Sequence, residues 1–319
     1  MTKKQKVLVI IGPTAVGKTA LSIELAQEYQ GEIISGDSLQ VYQGLDIGTA
    51  KVTEEEKAGV PHHLIDIRTL AESFSVADFQ ALAREKITEI AEAGKLPIVV
   101  GGTGLYIQAL LFDFELGSQD KLLDTSQLRK ELTELAELEG NVGVWERLRR
   151  QDPAAAESIH PNNLKRVIRG IELIELTGKS ITEQKQTDFR DLSNSLYDVK
   201  LIALETERDL LYQRINQRVD QMMKADLLSE AKLFLDQRDS QGTQGIGYKE
   251  FFPYFDGEIE LQVAVDQVKQ NSRRYAKRQL TWFKNRMTAE WWDLVTKPEE
   301  QSKLVNEVGN WLDSGREQD

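Results

Sequence analysis

The sequence predicts an α/β protein whose parallel β-sheet core carries a helical insertion. Short aliphatic runs first alternate with helical patterns, which is typical of parallel strands covered by helices on both faces. A long stretch without any strand pattern follows, and the next aliphatic run comes at residues 199–204. We therefore predict a core of residues 1–112 and 198–319, with further helices at its C-terminal end, and a helical domain of residues 113–197.

The composition excludes several classes of protein. With 319 residues, 40% of them hydrophobic and 29% charged, the chain is an ordinary globular protein with room for about two domains. It has no cysteine, which excludes disulfides, thiolate catalysis and cysteine-ligated metals. Its three histidines cannot form a zinc site without carboxylates, so Mg²⁺ is the only metal we expect. The net charge of −12 argues mildly against nucleic acid, although it does not show how charge is distributed.

The N-terminal segment does not predict secretion or membrane insertion. Lysines at positions 3, 4 and 6 surround the start of an aliphatic run, residues 7–11, which ends at Gly12. This run is too short for the apolar part of a signal peptide or for a membrane span. We therefore expect a cytoplasmic protein without membrane contact.

The same run predicts a buried strand, and it leads into the sequence GPTAVGKT and then into a helical pattern. This order predicts a phosphate-binding loop and hence a P-loop NTPase-like core, the alternative being a glycine-rich turn without a ligand. The glycines let consecutive amides face an anion, the helix directs its positive end there, and Lys18 adds a charge. The hydroxyl of Thr19 suits Mg²⁺. The predicted oligophosphate-binding residues are Gly12, Pro13, Thr14, Ala15, Val16, Gly17, Lys18 and Thr19.

Residues 32–35 predict the second strand, and Asp37 follows it. Because ligands of doubly wound sheets lie at the carboxyl ends of the strands, we expect Asp37 to face the phosphate-binding loop. Its carboxylate is a candidate general base or a water-mediated ligand of Mg²⁺, and a turn-forming aspartate is the alternative. His62 and His63 begin a further strand, where neighbouring side chains point apart, which favours structural roles over a shared metal.

The next predicted strand, residues 97–100, runs into the sequence GGTG. An ordinary P-loop ATPase has an aspartate after this strand to order Mg²⁺. The glycines found here instead predict that a ligand approaches the backbone closely. The hydroxyl of Thr103 and nearby amides would then be available to an oxyanion or a leaving group.

The segment predicted as an insertion contains a leucine stripe from residue 128 and an amphipathic helix over residues 163–177. Lys165, Arg166 and Arg169 lie together, off the apolar face of that helix. A solvated face is the usual explanation of such a cluster, and a binding surface is the other.

The last third of the chain offers two further basic features. A helix predicted over residues 209–237 carries Arg214 and Arg218 one turn apart, so either could reach bound phosphates. Residues 269–286 contain seven basic residues, no acid and three aromatic residues. This basic stretch is a candidate surface for the backbone and bases of a nucleic acid. A basic helix packed on an acidic face of the core is the alternative.

The motifs together resemble the tRNA dimethylallyltransferase family, in its bacterial type. The matching segments are GPTAVGKT, SGDSLQVY, DIGTAK, PHHLID, SFSVADF, GGTGLY, IGYKE and YAKRQLTWF, which extend from residue 12 to residue 283. Some positions depart from the family pattern. Ala225 and Asp226 stand before Leu227 where the family usually has glycine and leucine, and Gly170 and Gly245 stand where alanine is commoner.

The resemblance implies a reaction, which includes Mg²⁺ as cofactor. Dimethylallyl diphosphate would lie with its diphosphate on the P-loop, and its prenyl group would pass to N6 of the adenosine 3′ to the anticodon, position 37 of tRNA. The family pattern makes Asp37 the general base, places Thr103 near the bridging oxygen and the base, and makes Arg218 a catalytic residue that stabilises diphosphate. The target adenine would leave its stack to enter a pocket. The family also implies a monomer.

The resemblance implies the anticodon stem-loop as partner. With this resemblance, we expect the basic cluster of the insertion to be an RNA surface instead of a solvated face. The candidate tRNA-contacting residues are Asp37, Ser38, Leu39, Gln40, Thr103, Arg129, Lys165, Arg166, Val167, Ile168, Arg169 and Arg278.

Two other functions compete with the transferase. A small-molecule or nucleotide kinase would use the same P-loop and Asp37, but it leaves the insertion and the basic stretch without a role. A nucleotide-switched RNA-binding regulator would bind RNA without changing it covalently. ATP consumption that depends on a small acceptor would indicate the kinase.

Overall fold

A computed structural model of the chain describes residues 4–112, 125–178, 180 and 188–314. The chain forms two compact units. The larger unit comprises Met1–Asp113 and Asp188–Asp319, and the smaller comprises Phe114–Thr187.

The larger unit is built on a six-stranded sheet in the order β3-β2-β4-β1-β5-β6, and all of its strand pairs are parallel. The predicted α/β class with a parallel core is therefore confirmed. The strands are β1 Lys6–Ile11, β2 Gly31–Ser35, β3 His62–His63, β4 Leu96–Gly101, β5 Asp198–Leu204 and β6 Glu290–Trp292.

Helices cover both faces of this sheet. Along β1, Val7 and Val9 pack into one hydrophobic cluster, whereas Leu8 and Ile10 pack into the other, because successive side chains of a strand point to opposite faces. Burial on both faces explains why β1 reads as an unbroken aliphatic run. The α-helices of this unit are α1 Lys18–Glu28, α2 Glu54–Lys57, α3 Val76–Glu92, α4 Gly104–Leu111, α8 Arg208–Lys224, α9 Leu227–Lys232, α10 Phe252–Phe255, α11 Leu261–Arg286 and α12 Gln301–Asp313.

The smaller unit consists of helices α5 Ser126–Gln151, α6 Pro153–Ser158 and α7 Leu164–Thr177. Gly140, with φ 74°, interrupts the helical conformation of α5. The Asp152 carboxylate accepts a hydrogen bond from the Ala155 amide at 2.9 Å and so caps α6. The buried core of the unit contains Leu132, Val144, Leu148, Ala155, Ala156, Ile159, Val167, Ile168 and Ile171.

The C-terminal boundary of the insertion differs from the predicted one at residue 197. Residues 188–197 belong to the larger unit. The amide of Leu196 and the hydroxyl of Ser195 both donate to the carbonyl of Leu111, at 2.8 and 3.0 Å. These polar loop residues carry no strand pattern, so nothing in the sequence predicts that they belong to the core. The predicted start of the insertion, residue 113, lies outside the described residues.

Two further elements differ from the sequence prediction. The helix predicted over residues 209–237 is interrupted, because Asp226 adopts the left-handed conformation, with φ 73°, between α8 and α9. The edge strand β6 has no counterpart in the prediction. It has only three residues, which are too few to show an alternating pattern.

Membrane and metal features were sought across the described ranges. None of the helices there combines the length and apolar character needed to cross a bilayer. The same residues contain no group of three or more histidine, cysteine, aspartate or glutamate side chains that could hold a metal ion.

Candidate functional site

The P-loop joins β1 to α1 at the carboxyl edge of the sheet. A Cβ atom at Gly12 would lie 2.6 Å from the carbonyl oxygen of Leu204 in β5, so only glycine fits there. Gly17, with φ 106°, has a left-handed conformation that glycine adopts without strain. The amides that follow belong to the N-terminal turn of α1, which attracts anions. This confirms the predicted order of strand, loop and helix.

Lys18 lies over the loop. Its Nζ donates hydrogen bonds to the carbonyl oxygens of Gly12 at 3.0 Å and Pro13 at 2.6 Å. The pKa of Lys18 is lowered to about 7, mainly by burial and also by the neighbouring Arg218, while Asp37 acts in the opposite direction. An anion bound at the loop would favour the protonated form of Lys18, because an opposite charge nearby stabilises the ammonium.

Helix α8 presents two arginines to the loop, and they do different things. Arg214 donates through Nε to the carbonyl oxygen of Ala15 at 2.8 Å. Arg218 donates to Oγ1 of Thr14 at 3.2 Å and lines the same cavity as Lys18. Burial lowers the pKa of Arg218, and Asp37 raises it. Of the two arginines that the sequence left open, Arg218 is thus the one placed to meet a ligand, while Arg214 holds the loop.

Asp37 follows β2 and lines this cavity. Its Oδ1 accepts hydrogen bonds from the amides of Leu39 at 2.8 Å and Gln40 at 3.3 Å. No hydrogen bond from the described part of the chain reaches Oδ2. Oδ1 therefore shapes the turn, and Oδ2 is left for a ligand, so the role of Asp37 as a base or as a ligand of Mg²⁺ stays a prediction.

Other parts of the protein approach the glycines of the sequence GGTG closely. A Cβ atom at Gly101 would lie 2.6 Å from the carbonyl oxygen of Gly36. One at Gly102 would lie 2.0 Å from Nε2 of Gln279, and one at Gly104 would lie 2.2 Å from the ring of Trp282. Gly101 and Gly102 also line the cavity described below, so close approach of a ligand to the backbone here stays a prediction.

The predicted place of Thr103, near the bridging oxygen and the base, stays a prediction. Thr103 precedes α4, its Oγ1 is buried, and it is not among the residues that line the cavity. Tyr275 of α11 lines the cavity instead. The pKa of Tyr275 is raised to about 12, mainly by burial and also by Asp37, while Thr103 acts in the opposite direction, which indicates that Thr103 lies beside the Tyr275 hydroxyl.

Gln279 is a site residue that the sequence argument missed. Its Oε1 accepts a hydrogen bond from the amide of Thr14 at 3.1 Å, and its Nε2 donates to the carbonyl oxygen of Gly102 at 3.0 Å. The side chain therefore joins the P-loop to the end of β4. Helical spacing could have found it, because positions 275, 278, 279 and 282 lie on one face of a helix.

These elements enclose a cavity of about 450 Å³, which is within the range of small-molecule sites. All of its walls come from the larger unit. They comprise the P-loop, the segment after β2, the end of β4, helices α8 and α11, and the glycine-rich loop of residues 244–247. The chemical character changes across the cavity, from cations at the P-loop to Asp37, Tyr275 and apolar side chains such as Met222.

The basic stretch lies on α11 and divides into two parts. Lys269 pairs with Asp220 at 2.6 Å, and Lys284 pairs with Glu205 at 2.5 Å. These two lysines agree with the alternative of a basic helix packed on an acidic face, and the nucleic-acid surface stays a prediction for the rest of the stretch. Four exposed residues form no ion pair among the described residues, and with Trp282 they line an open hollow of about 610 Å³. These four are Arg274, Lys277, Arg278 and Arg286.

In the smaller unit, the exposed Lys165 and Arg166 form no ion pair with any described residue. Arg129 and Arg169 share the buried carboxylate of Glu172, at 2.8 and 3.3 Å. The side chains of Val167 and Ile168 are buried in the core of the unit, which corrects their prediction as RNA-contacting side chains. The predicted surface therefore depends on the four basic residues alone.

The paired histidines have structural partners. His62 Nδ1 lies 2.9 Å from the carbonyl oxygen of Val60, and His63 Nε2 lies 2.6 Å from the carboxylate of Glu32. Lys95 donates to the other oxygen of Glu32. These contacts agree with the structural roles favoured from the sequence.

Curated relatives match nearly all of the chain, and a family model matches most of it. The family model described as IPP transferase matches residues 40–286. A tRNA dimethylallyltransferase of Enterococcus faecalis is 60% identical over 308 residues, which cover 97% of this chain and 98% of that protein. The tRNA dimethylallyltransferase of Bacillus subtilis is 53% identical over 294 residues, which cover 92% of each chain.

Solved structures agree. The full-length tRNA isopentenylpyrophosphate transferase of Bacillus halodurans is 48% identical and gives a TM-score of 0.72 over 98% of each chain. A eukaryotic dimethylallyltransferase acting on tRNA is 30% identical and gives a TM-score of 0.79 over 97% of this chain and 80% of that chain. The P-loop, the parallel sheet and these similarities lead to one assignment: this chain belongs to the IPP transferase family.

Proposed function

We propose that this protein transfers the dimethylallyl group of dimethylallyl diphosphate to N6 of the adenosine 3′ to the anticodon, position 37 of tRNA, and releases diphosphate. One observation carries the proposal. A single cavity brings an anion-binding loop, with Lys18 and Arg218, against the carboxylate of Asp37. The reaction needs these two ends, a cationic one for the leaving group and a basic one for the nucleophile.

The cationic end suits the leaving diphosphate. When the allylic C–O bond breaks, negative charge collects on diphosphate and positive charge on the prenyl fragment. The loop amides, the N-terminal turn of α1, Lys18 and Arg218 are fixed donors that stabilise that negative charge. Because the loop is held by Arg214 and Gln279, these donors need little rearrangement during the reaction.

The residues at the loop also fit Mg²⁺. The ion prefers oxygen ligands, and it usually takes one or two from the protein and the rest from phosphate and water. Thr19, whose side chain lines the cavity beside Lys18, would hold it through the hydroxyl. When bound, Mg²⁺ would neutralise charge on the diphosphate.

Asp37 is proposed to accept the proton. N6 of adenine is a weak acid until it bonds to the prenyl carbon, after which it carries a positive charge and loses a proton readily. The new N–C bond replaces the C–O bond, and the proton passes from N6 to Asp37. The hydrogen bonds from Leu39 and Gln40 to Oδ1 hold the carboxylate in place, which leaves Oδ2 to act as the base.

Recognition of tRNA is proposed to use the exposed cations. An enzyme that modifies a base must take it out of its stack, and single-stranded loops are the part of RNA most open to this. Arg278 lines the cavity and lies over the ring of Tyr275, 5.5 Å from its centroid. Lys165, Arg166, Arg129 and Arg169 would contact phosphates of the anticodon stem-loop.

We further propose a cytoplasmic monomer as the active species. The family resemblance suggests a monomer, and one chain already brings the P-loop, Asp37 and Arg218 into the same cavity. Light scattering of the active protein should give the mass of one chain.

The test is direct. Purified protein is incubated with Mg²⁺, dimethylallyl diphosphate and an unmodified tRNA transcript, and the digested nucleosides are weighed by mass spectrometry. We expect an adenosine heavier by one dimethylallyl group, and none from a transcript with guanosine at position 37. Lys18→Ala should abolish the product, whereas Lys303→Ala, on the exposed surface of α12, should not. Absence of the modified adenosine with wild-type protein would refute the proposal, and consumption of ATP instead would indicate a kinase.

A further inference from the structure

A buried carboxylate outside the predicted site holds one wall of the cavity. Glu230 of α9 is only 9% exposed. Its Oε2 accepts hydrogen bonds from the amides of Asp46 at 3.1 Å and Ile47 at 2.8 Å. Its Oε1 accepts from the amide of Gly48 at 2.9 Å and from the hydroxyl of Tyr248 at 2.7 Å. Four donors therefore converge on one side chain, which leaves it little freedom to move.

Consecutive amides that point to one spot commonly bind an external anion. Here the anion is supplied by the protein itself, from a residue distant in sequence. Residues 48–50, directly after these amides, line the cavity. A Cβ atom at Gly48 would lie 2.5 Å from the ring of Tyr248, so glycine is required for this close packing. The segment of residues 46–50 is thus tied down at its start.

The same segment reaches Asp37 through one glutamine. Nε2 of Gln40 donates to the carbonyl oxygens of Thr49 at 3.2 Å and Ala50 at 3.5 Å. Oε1 of Gln40 accepts from the hydroxyl of Ser35 at 2.9 Å. The backbone amide of Gln40 donates to Oδ1 of Asp37. Residues 46–50 therefore orient Gln40, and Gln40 in turn supplies one of the two hydrogen bonds that orient the carboxylate of Asp37.

We infer that Glu230 is a positioning residue for the transfer reaction: it fixes residues 46–50 and, through Gln40, the orientation of Asp37. The expected effect of Glu230 on the transfer reaction rests on the proposed function. Its structural part, the fixing of residues 46–50, rests on the hydrogen bonds alone. Glu230 does not line the cavity and takes no part in the chemistry. Its effect should fall on the turnover rate rather than on binding of diphosphate, because the contacts of the P-loop do not involve it.

Glu230→Gln is the sharpest variant. It preserves the shape of the side chain but replaces one acceptor oxygen by an NH₂ group. This group is itself a donor, so it cannot accept the hydrogen bonds of the protein groups that face it. The loss of one hydrogen bond to a charged group corresponds to a change of about 10- to 100-fold in an equilibrium or rate constant. We therefore expect kcat for modification of saturating tRNA to fall by about 10- to 100-fold, with KM for dimethylallyl diphosphate within about two-fold of wild type.

Hydrogen exchange tests the structural part without any reaction. In Glu230→Gln, the amides of residues 46–48 should exchange faster, while those of the P-loop should not change. Tyr248→Phe removes one donor and leaves the three amides paired. We expect it to lower kcat less than Glu230→Gln does, and it serves as the test if Glu230→Gln fails to fold. Val308→Ala in the core of α12 is the control for a general loss of stability.

A double variant tests whether Glu230 acts on Asp37 through Gln40. If Glu230 acts through Gln40, the double variant Glu230→Gln, Gln40→Ala should lose no more kcat than the worse single variant. Multiplicative losses, unchanged exchange at residues 46–48, or a loss of kcat no greater than that of Val308→Ala would each overturn the inference. Failure of the proposed function would be visible separately, because wild-type protein would then give no modified adenosine.

Discussion

The side-chain oxygen of Gln279 accepts a hydrogen bond from the backbone amide of Thr14 at 3.1 Å. The opposite end of the same side chain donates to Gly102. One residue of α11 therefore sets the separation between the P-loop and the end of β4. The loop is consequently shaped by the C-terminal part of the chain as well as by its own glycines.

Replacing Gln279 by leucine should weaken both folding and anion binding. The change leaves the Thr14 amide and the Gly102 carbonyl without their partner, at about 1–3 kcal/mol for each buried group left unpaired. We expect a lower free energy of unfolding in urea and weaker binding of inorganic diphosphate by calorimetry. Gln279→Glu keeps the acceptor for Thr14 and should lose less stability. A leucine variant as stable as wild type would contradict the bridging role.

Asp37→Asn should separate the two functions of this residue. Asparagine keeps an oxygen for the amides of Leu39 and Gln40 but cannot accept the proton, so turnover should fall by about 10²- to 10⁴-fold. Asp37→Ala removes the turn as well and should also destabilise the protein. Diphosphate binding should survive in both. Activity of Asp37→Asn within a few-fold of wild type would exclude Asp37 as the base.

The pKa of Lys18, about 7 in the folded protein, predicts that protons are taken up when diphosphate binds. Above pH 7 the free side chain is largely neutral, and the bound anion favours its charged form, so up to about one proton should enter with the ligand. Binding should weaken as the pH rises from 7 to 9. Calorimetry at pH 8 in two buffers of different ionisation enthalpy measures this uptake.

Lys18→Arg is the matched control for that experiment, because arginine stays protonated throughout this range. The uptake that belongs to Lys18 is the difference between the two proteins, since diphosphate itself also titrates. The lowered pKa of Lys18 also determines how this residue makes the free energy of unfolding change with pH. The lowered pKa means that the unfolded chain holds more protons between pH 7 and 10.5, so this residue makes the free energy of unfolding rise with pH across that window. Equal proton uptake by both proteins would exclude Lys18 as the responsible group.

Asp226→Gly should stabilise the protein. Asp226 has φ 73°, a conformation that costs less for glycine than for any residue with a Cβ atom. The left-handed conformation costs a residue with a Cβ atom about 1–2 kcal/mol, and the greater freedom of glycine in the unfolded chain offsets about 0.5–1 kcal/mol of this. We therefore expect a net gain of about 0.5–1 kcal/mol in the free energy of unfolding, whereas Asp226→Ala should lose stability. Urea denaturation of the three proteins gives the order, and a glycine variant less stable than wild type would refute the strain argument.

Neutralising Lys165 and Arg166 should reduce the salt dependence of tRNA binding. Removing one interaction between a basic side chain and a phosphate lowers the slope of log K against log salt by about 0.7–0.9. The double variant with glutamine at both positions should therefore bind more weakly at low salt and with a shallower slope. Lys303→Gln, an exposed lysine of α12, should leave the slope unchanged. The same slope in the double variant would remove both residues from the interface.

The P-loop, the parallel sheet and the position of Asp37 could be predicted because each has a local signature. A buried strand needs an aliphatic run, an anion-binding turn needs glycines, and a carboxylate after a strand must lie at the ligand-binding edge. The helical pattern alone left open whether Arg214 or Arg218 reaches bound phosphates. One turn of helix separates the side chain that lines the cavity from the one that holds the loop, and the pattern does not say which is which.

The glycines of residues 101–104 show what sequence could not settle. Glycine indicates close approach, but it does not say what approaches, and here Gly36, Gln279 and Trp282 do so. Glu230 has the same difficulty, because a glutamate in an amphipathic helix gives no sign that it will be buried against amides about 180 positions earlier. In both cases the missing information is the pairing of segments that are distant along the chain.

The central place of β1 has a consequence for synthesis of the protein. β1 is paired on one side with β4 and on the other with β5, where Lys6 stands opposite Asp198. A ribosome must therefore make well over half of the chain before the second neighbour of β1 exists. Until then, the edge of β1 that β5 will cover stays open, and Leu204 is not yet beside Gly12. Such long-range closure slows folding and exposes strand edges to association, so the nascent P-loop strand is open to association until β5 has been made.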